Sequence, residues 1–316
     1  MKTKTILTIT LCLFGSAFVL GETAPPQQAS AEVPTTATAI PGVVASGTKV
    51  ERVWTGLQAG DGLIGQSDGT VLLPEQGTAN HVSKFDLEGN VSIYLEDTNE
   101  AGGIAIDPDG RIVDIERSPP SRMRVLVPER RVLADSYEGM PFERLSDIVA
   151  NMKGGFYVTE SPSSSVFYVD GAGTVTRVAD DIERANGITL SPDERTLYVT
   201  NTPNGIVAYD VEPDNSISNR RLFITPEGEQ DGLAVDAAGR LYVAGQTGVQ
   251  VFSPAGQQLG VIPTPRPTTT LAFSGPDKKT LYVIGRGNDG PDGEGRTARS
   301  MYKISMLAEG FKGRAK

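Results

Sequence analysis

The chain has 316 residues, with 29 basic and 39 acidic side chains, a formal net charge of −10 and no long run of lysine or arginine. That balance excludes nucleic acid and anionic membrane surfaces as natural partners. Its 36 glycines and 6% aromatic content suit a turn-rich all-β protein better than a helical bundle.

The first residues, MKTKTILTITLCLFGSAFVLG, place Lys2 and Lys4 before an apolar run of signal-peptide length. Residues 1–21 are expected to be a signal peptide, with cleavage after Gly21 or as late as Ala31. An uncleaved anchor is the alternative. Cutting after Gly21 removes two lysines and no acid, taking the charge from −10 to −12. Cys12, the only cysteine, lies inside this segment, so the mature fold is expected to use neither disulfides nor thiolate ligands. Export to the periplasm or medium is expected, with no membrane span in the mature chain. Residues 22–48 are rich in Pro, Ala, Thr and Gln and read as a disordered tether, because they bury too little to offset their ordering entropy.

From residue 49 onward one unit recurs. Its copies are GDGLIGQSDGTVLLPE at Gly60, AGGIAIDPDGRIVDIE at Ala101, LSDIVANMKGGFYVTE at Leu145 and ANGITLSPDERTLYVTN at Ala185. QDGLAVDAAGRLYVAG at Gln230 and TTLAFSGPDKKTLYVIG at Thr269 complete the set. Each joins a short apolar strand to an alternating one through an Asp/Pro/Gly turn, and another strand pair separates the copies. The period of about 40 residues is that of a four-stranded propeller blade. The expected fold for residues 49–316 is therefore all-β, a six-bladed β-propeller with four-stranded blades. The orphan strand KVERVWTG (Lys49–Gly56) would close the ring as the outer strand of the last blade, leaving no unpaired edge. A solenoid is the competing architecture, with shorter or helical repeats that this chain lacks. An isolated helical turn is expected near Met306–Gly310.

In a propeller the first strand of each blade lies nearest the axis, so equivalent residues at its start converge on the channel mouth. Those residues are read as Asp61, Gly102, Ser146, Asn186, Asp231 and Thr270. Oxygen donors without thiolate or imidazole suit a hard divalent cation such as Ca²⁺ or Mg²⁺. Carboxylates gathered there without one would raise each other's pKa. Strand-end capping is the alternative for each residue taken singly.

The span from Val50 to Lys303 resembles the senescence-marker protein/gluconolactonase/luciferin-regenerating-enzyme family, to which regucalcin belongs. The resemblance rests on RLSD at Arg144, ANGITLSPD at Ala185, DGLAVDAAGRLYVA at Asp231 and TTLAFSGPDKKTLYV at Thr269. It implies a six-bladed propeller that hydrolyses sugar lactones with a divalent metal, held here by Asp61, Asn186 and Asp231. Calcium is the first expectation, with Mg, Mn or Zn as alternatives. Asp61 replaces the family's usual Glu, and Ser146-Asp147 replaces its usual Asn-Asp. Arg144 and Ser146 are the expected substrate-binding residues, and Asp147 or Asp231 the catalytic acceptor of the water's proton.

His81, the only histidine, falls on an outer hairpin and is not expected to be catalytic. The acidic stretch from Gly285 to Arg296 fails the EF-hand spacing and reads as a long hairpin loop. The expected protein is an exported, monomeric, metal-dependent lactone hydrolase with a small-molecule substrate. The alternatives are a non-catalytic propeller that binds a ligand or partner protein and an alkaloid-synthase-like propeller, which would not need the Asp/Asn/Asp set.

Overall fold

The second strand of each repeat is a nearly unbroken apolar run, as in LYVAG (Leu241–Gly245), because neighbouring blades cover both of its faces. The outermost strands, covered on one side, admit exposed residues, as in VSIYLE (Val91–Glu96). A computed structural model describes residues 35–58, 60–161, 163–286 and 298–315. Among them the regular structure is entirely β: six four-stranded antiparallel sheets and one small hairpin, Ser136–Tyr137 with Met140–Pro141. No helix there is long and apolar enough to cross a membrane.

Blades 1 to 5 cover residues 64–96, 101–134, 145–179, 185–224 and 230–262, each a simple four-strand meander. Blade 6 takes three strands from residues 268–305, and its outer strand is Val50–Gln58 from the start of the fold. That strand runs antiparallel to Ala298–Ser305 from Val50 opposite Ile304 to Gln58 opposite Ala298, closing the ring as expected. Inner strands of successive blades touch one another around the axis. Glycine permits the closest approaches: a Cβ on Gly187 would lie 2.2 Å from the Asp231 carbonyl, and one on Gly62 2.5 Å from the Gly102 carbonyl.

Two terminal segments differ from expectation. The tether was expected to run to residue 48, but residues 35–48 are packed. Ala37, Ile40, Val43 and Val44 are buried with Tyr242, Phe273 and Met306 between blades 5 and 6. Four apolar side chains in a Pro/Thr-rich stretch suffice once a groove receives them. Nor does Met306–Gly310 form a helical turn. Leu307 and Ala308 donate their amides to the Val43 carbonyl, and Gly310 donates to Lys278, so these bonds run between segments.

The tail then crosses the channel end opposite the mouth. Gly65 donates to the Ala315 carbonyl, and Arg314 donates to the carbonyls of Leu190 and Ser191 and to Glu194. Lys278 reaches into the same end, donating to the carbonyls of Phe273, Arg314, Gly65 and Ala315 over 3.2 to 3.5 Å. Burial pushes its amine down to about 8. Between that value and the ordinary 10.5 the unfolded chain holds a proton that the folded protein has shed, so this group's contribution to stability rises with pH. Urea unfolding at pH 7.5 and 9.5 should show wild type gaining roughly 2 kcal/mol relative to Lys278→Met over that interval. Parallel pH slopes for the two proteins would refute this.

Candidate functional site

The inner strands are not plain strands at their mouth ends. In blades 2 to 5 two residues face one on the neighbouring strand: 102–103, 146–147, 186–187 and 231–232. Such a bulge re-aims side chains that a regular strand would keep between the blades. The first of each pair points to the mouth, and the second lies against the next blade. In blade 6 Thr268 pairs with Gly285 and Leu271 with Val283, as Ala185 pairs with Asn201 and Ile188 with Val199. The residue equivalent to Asn186 is therefore Thr269, one position before the expected Thr270.

A polar ring takes one member from every blade. Asp61 Oδ2 accepts from Arg117 Nη2 at 2.8 Å, and the same nitrogen donates to the Ser146 carbonyl at 2.6 Å. Ser146 Oγ donates to Asn186 Oδ1 at 2.7 Å, and Asn186 Nδ2 donates to Asp231 Oδ1 at 2.8 Å. Arg286 Nη2 closes on Asp231 Oδ2 at 3.2 Å. Asp61, Ser146, Asn186 and Asp231 thus come together as the repeat symmetry predicts. Ser146 fixes the orientation of the Asn186 amide, a positioning role where substrate contact was expected.

Asp147 does not join them. It is the second residue of its bulge pair, and its carboxylate accepts the amides of Ile148 at 2.9 Å and Ile188 at 3.1 Å. It straps blade 3 to blade 4 and is buried, turned away from the mouth at which a proton acceptor was expected. The exposed Arg144 stands beside the ring. Burial and then the Arg117 charge pull its guanidinium below the ordinary value, against an opposing pull from Asp61.

Burial, and after it the negative charge of Asp61, push the Asp231 carboxyl up to about 7, with Arg286 and Arg117 opposing. Two carboxylates together with an amide oxygen form a hard-oxygen donor set. Asp61, Asn186 and Asp231 therefore fit a divalent cation in kind. Among the described residues no three His, Cys, Asp or Glu side chains gather as a metal cluster, at the ring or away from it, so the ring's third donor is the Asn186 amide. His81 is the first residue of the third strand of blade 1, where its ring lies 3.1 Å from Ser83 Oγ and 3.4 Å from Glu75, and it takes no part in the ring. Residues 287–297, most of the acidic loop, lie outside the described residues, as do residues 1–34.

Sequence reasoning missed Arg117 and Arg286. Arg117 directly follows the second strand of blade 2, after Glu116, and Arg286 is the last residue of the second strand of blade 6. Thr202 of blade 4 holds the equivalent place, since Arg117, Thr202 and Arg286 each donate their amide to the carbonyl of the residue just before their own inner strand. Aligning that second column of the repeat would have found both arginines. Arg299 also lies near: burial and Arg286 lower its guanidinium, while Asp61 and Asp231 raise it.

Comparison with known proteins follows this geometry. A family model described as SMP-30/Gluconolactonase/LRE-like region matches residues 78–285. A gluconolactonase of Zymomonas mobilis is 26% identical over 281 residues, covering 75% of this chain and 78% of its own. A pentonolactonase of Haloferax volcanii is 28% identical over 284 residues, covering 83% and 96%. Among solved structures, a gluconolactonase of Xanthomonas campestris superposes with a TM-score of 0.75 at 23% identity, covering 91% of this chain and 99% of its own. A calcium-binding regucalcin of Agrobacterium tumefaciens gives 0.66 at 19% identity, covering 84% and 98%.

Proposed function

The chain belongs to the SMP-30/gluconolactonase/LRE-like family, and on that footing we propose that it hydrolyses a sugar lactone or related cyclic ester at the mouth of its channel. The observation that carries the reading is the convergence of Asp61, Asn186 and Asp231 from three blades within one hydrogen-bonded ring. The names of its relatives support the substrate class: gluconolactonase, pentonolactonase and, in Pseudomonas putida, 6-deoxy-6-sulfogluconolactonase. The basic start and apolar run of residues 1–21 support an exported enzyme.

Asp61, Asn186 and Asp231 would hold a divalent cation, with calcium first among the choices. When bound, such an ion supplies Lewis-acid polarisation of a carbonyl and a more acidic water. The chain's own residues do the rest. Arg144, exposed beside the ring, orients the oxygens of the substrate through charge-assisted hydrogen bonds. Asp231 accepts the proton of the attacking water, because it stands in the ring at the mouth, whereas the Asp147 carboxylate is turned against the backbone of blade 4. Ser146 and Arg286 hold Asn186 and Asp231 in place while that proton moves.

The test is initial-rate hydrolysis of five- and six-membered aldonolactones by the purified chain, with calcium and with a chelator. Ring opening well above the spontaneous rate, lost on chelation and restored by calcium, is expected. A panel that shows only spontaneous opening in the presence of calcium would overturn the proposal in favour of a non-catalytic propeller.

A further inference from the structure

The donor set at the mouth is closed by the chain's own hydrogen-bond donors. Asp61 Oδ1 takes the Gly62 amide at 2.9 Å, and Oδ2 takes Arg117. The Ser146 hydroxyl occupies Asn186 Oδ1, and the Asp231 oxygens take Asn186 Nδ2 and Arg286. A divalent cation bound here meets these donors at the oxygens it would use.

Arg117 is the donor most deliberately housed. At the repeat position where blades 1, 4 and 5 supply Asp61, Asn186 and Asp231, blade 2 carries Gly102. A Cβ on Gly102 would lie 2.3 Å from Arg117 Nε and 2.6 Å from its Cζ, so the missing side chain is the space the guanidinium fills. The Arg117 side chain is only 10% exposed, and the Nη2 that meets Asp61 also donates to the Ser146 carbonyl at 2.6 Å. Arg286 is less confined, with 45% of its side chain exposed and a longer 3.2 Å bond, so it can withdraw into solvent. Blade 2 therefore contributes a fixed positive charge where its neighbours contribute ligands.

Resting on the cation reading above, we propose that Arg117 is the resident counter-ion of Asp61, and that a divalent cation binds this chain only by displacing it. The guanidinium and the ion compete for the same carboxylate, and their like charges exclude joint occupancy at contact distance. The mouth then has two states, one closed by arginine and one held by a cation. Ion affinity in this chain is set by the strength of an internal salt bridge as well as by the ligands.

The experiment is calorimetric titration of calcium into the full chain as wild type, Arg117→Gln, Arg117→Lys and Asp231→Asn. Arg117→Gln should bind roughly tenfold or more tightly than wild type, because it removes the competing charge. It should also melt below wild type in chelator and recover on adding calcium, since Asp61 loses its partner until the ion arrives. Arg117 ties three blades together, so Arg117→Lys serves should the glutamine variant fail to fold. The lysine ammonium falls one atom short of the Nη2 that meets both Asp61 and the Ser146 carbonyl, so it holds Asp61 less closely and the variant's affinity should exceed that of wild type. Equal or weaker binding in the folded variants overturns the proposal, because Arg117 would then support Asp61 as a ligand instead of competing with the ion. Should that equal binding vanish in Asp231→Asn, the cation reading stands and only the competition fails. No binding by any of the proteins overturns both.

Discussion

Asp231→Ala eliminates measurable lactone turnover, a fall of about a thousandfold or more in kcat/KM, while the propeller stays folded. The loss is expected because Asp231 is both a proposed ion ligand and the carboxylate left to accept the water's proton. The fold survives because this charge is poorly tolerated where it sits: burial and Asp61 both push the carboxyl up, to about 7. Removing it frees Asn186 Nδ2 and Arg286, and Arg286 can turn to solvent. Rates on a reactive lactone, with circular dichroism and melting of the same sample, provide the check. Asp147→Asn is the contrasting case. It leaves one acceptor for the amides of Ile148 and Ile188, costs about 1–3 kcal/mol of stability and keeps turnover per folded molecule. A folded but inactive Asp147→Asn protein would return the proton-accepting role to Asp147.

A chain beginning at residue 60 should fail to form a stable propeller. The strand Val50–Gln58 supplies the whole outer edge of blade 6, and its Val50 and Leu57 are buried in two different core clusters. Burying such side chains contributes about 1.5–3 kcal/mol each, and the ladder of backbone hydrogen bonds adds about 1 kcal/mol per bond. Against a typical total of roughly 5–15 kcal/mol, that loss removes most of the stability and bares a strand edge open to aggregation. The same truncation discards residues 35–48 and their four buried apolar side chains. Expression, gel filtration and thermal unfolding measure the effect, with Leu57→Ala as a milder companion costing about 2–5 kcal/mol. A truncated chain that melts cooperatively near the wild-type temperature would show that the ring does not depend on its closing strand.

The sequence by itself determined the number of blades, their four-stranded make-up and the closing strand. These follow from a local pattern repeated every 40 residues or so, since each copy carries its own turn and alternation. It also determined that Asp61, Ser146, Asn186 and Asp231 meet, because a ring of like units brings equivalent positions to one axis. The side chains that depend on contact between units were decided only by the tertiary structure. Asp147 follows Ser146 directly, yet the inner-strand bulge turns it against blade 4 and away from the mouth. Thr269 takes the place expected of Thr270 through the same bulge in blade 6. Arg117 and Arg286 enter the ring from the second column of the repeat, reaching across to acids on neighbouring blades. Ile40 and Val43 are too few in a Pro- and Thr-rich stretch to announce a packed segment, and the groove that buries them is made by residues two hundred positions away. Periodicity is written within one repeat, whereas the aim of a bulged side chain, the reach of a guanidinium and the existence of a groove arise between repeats.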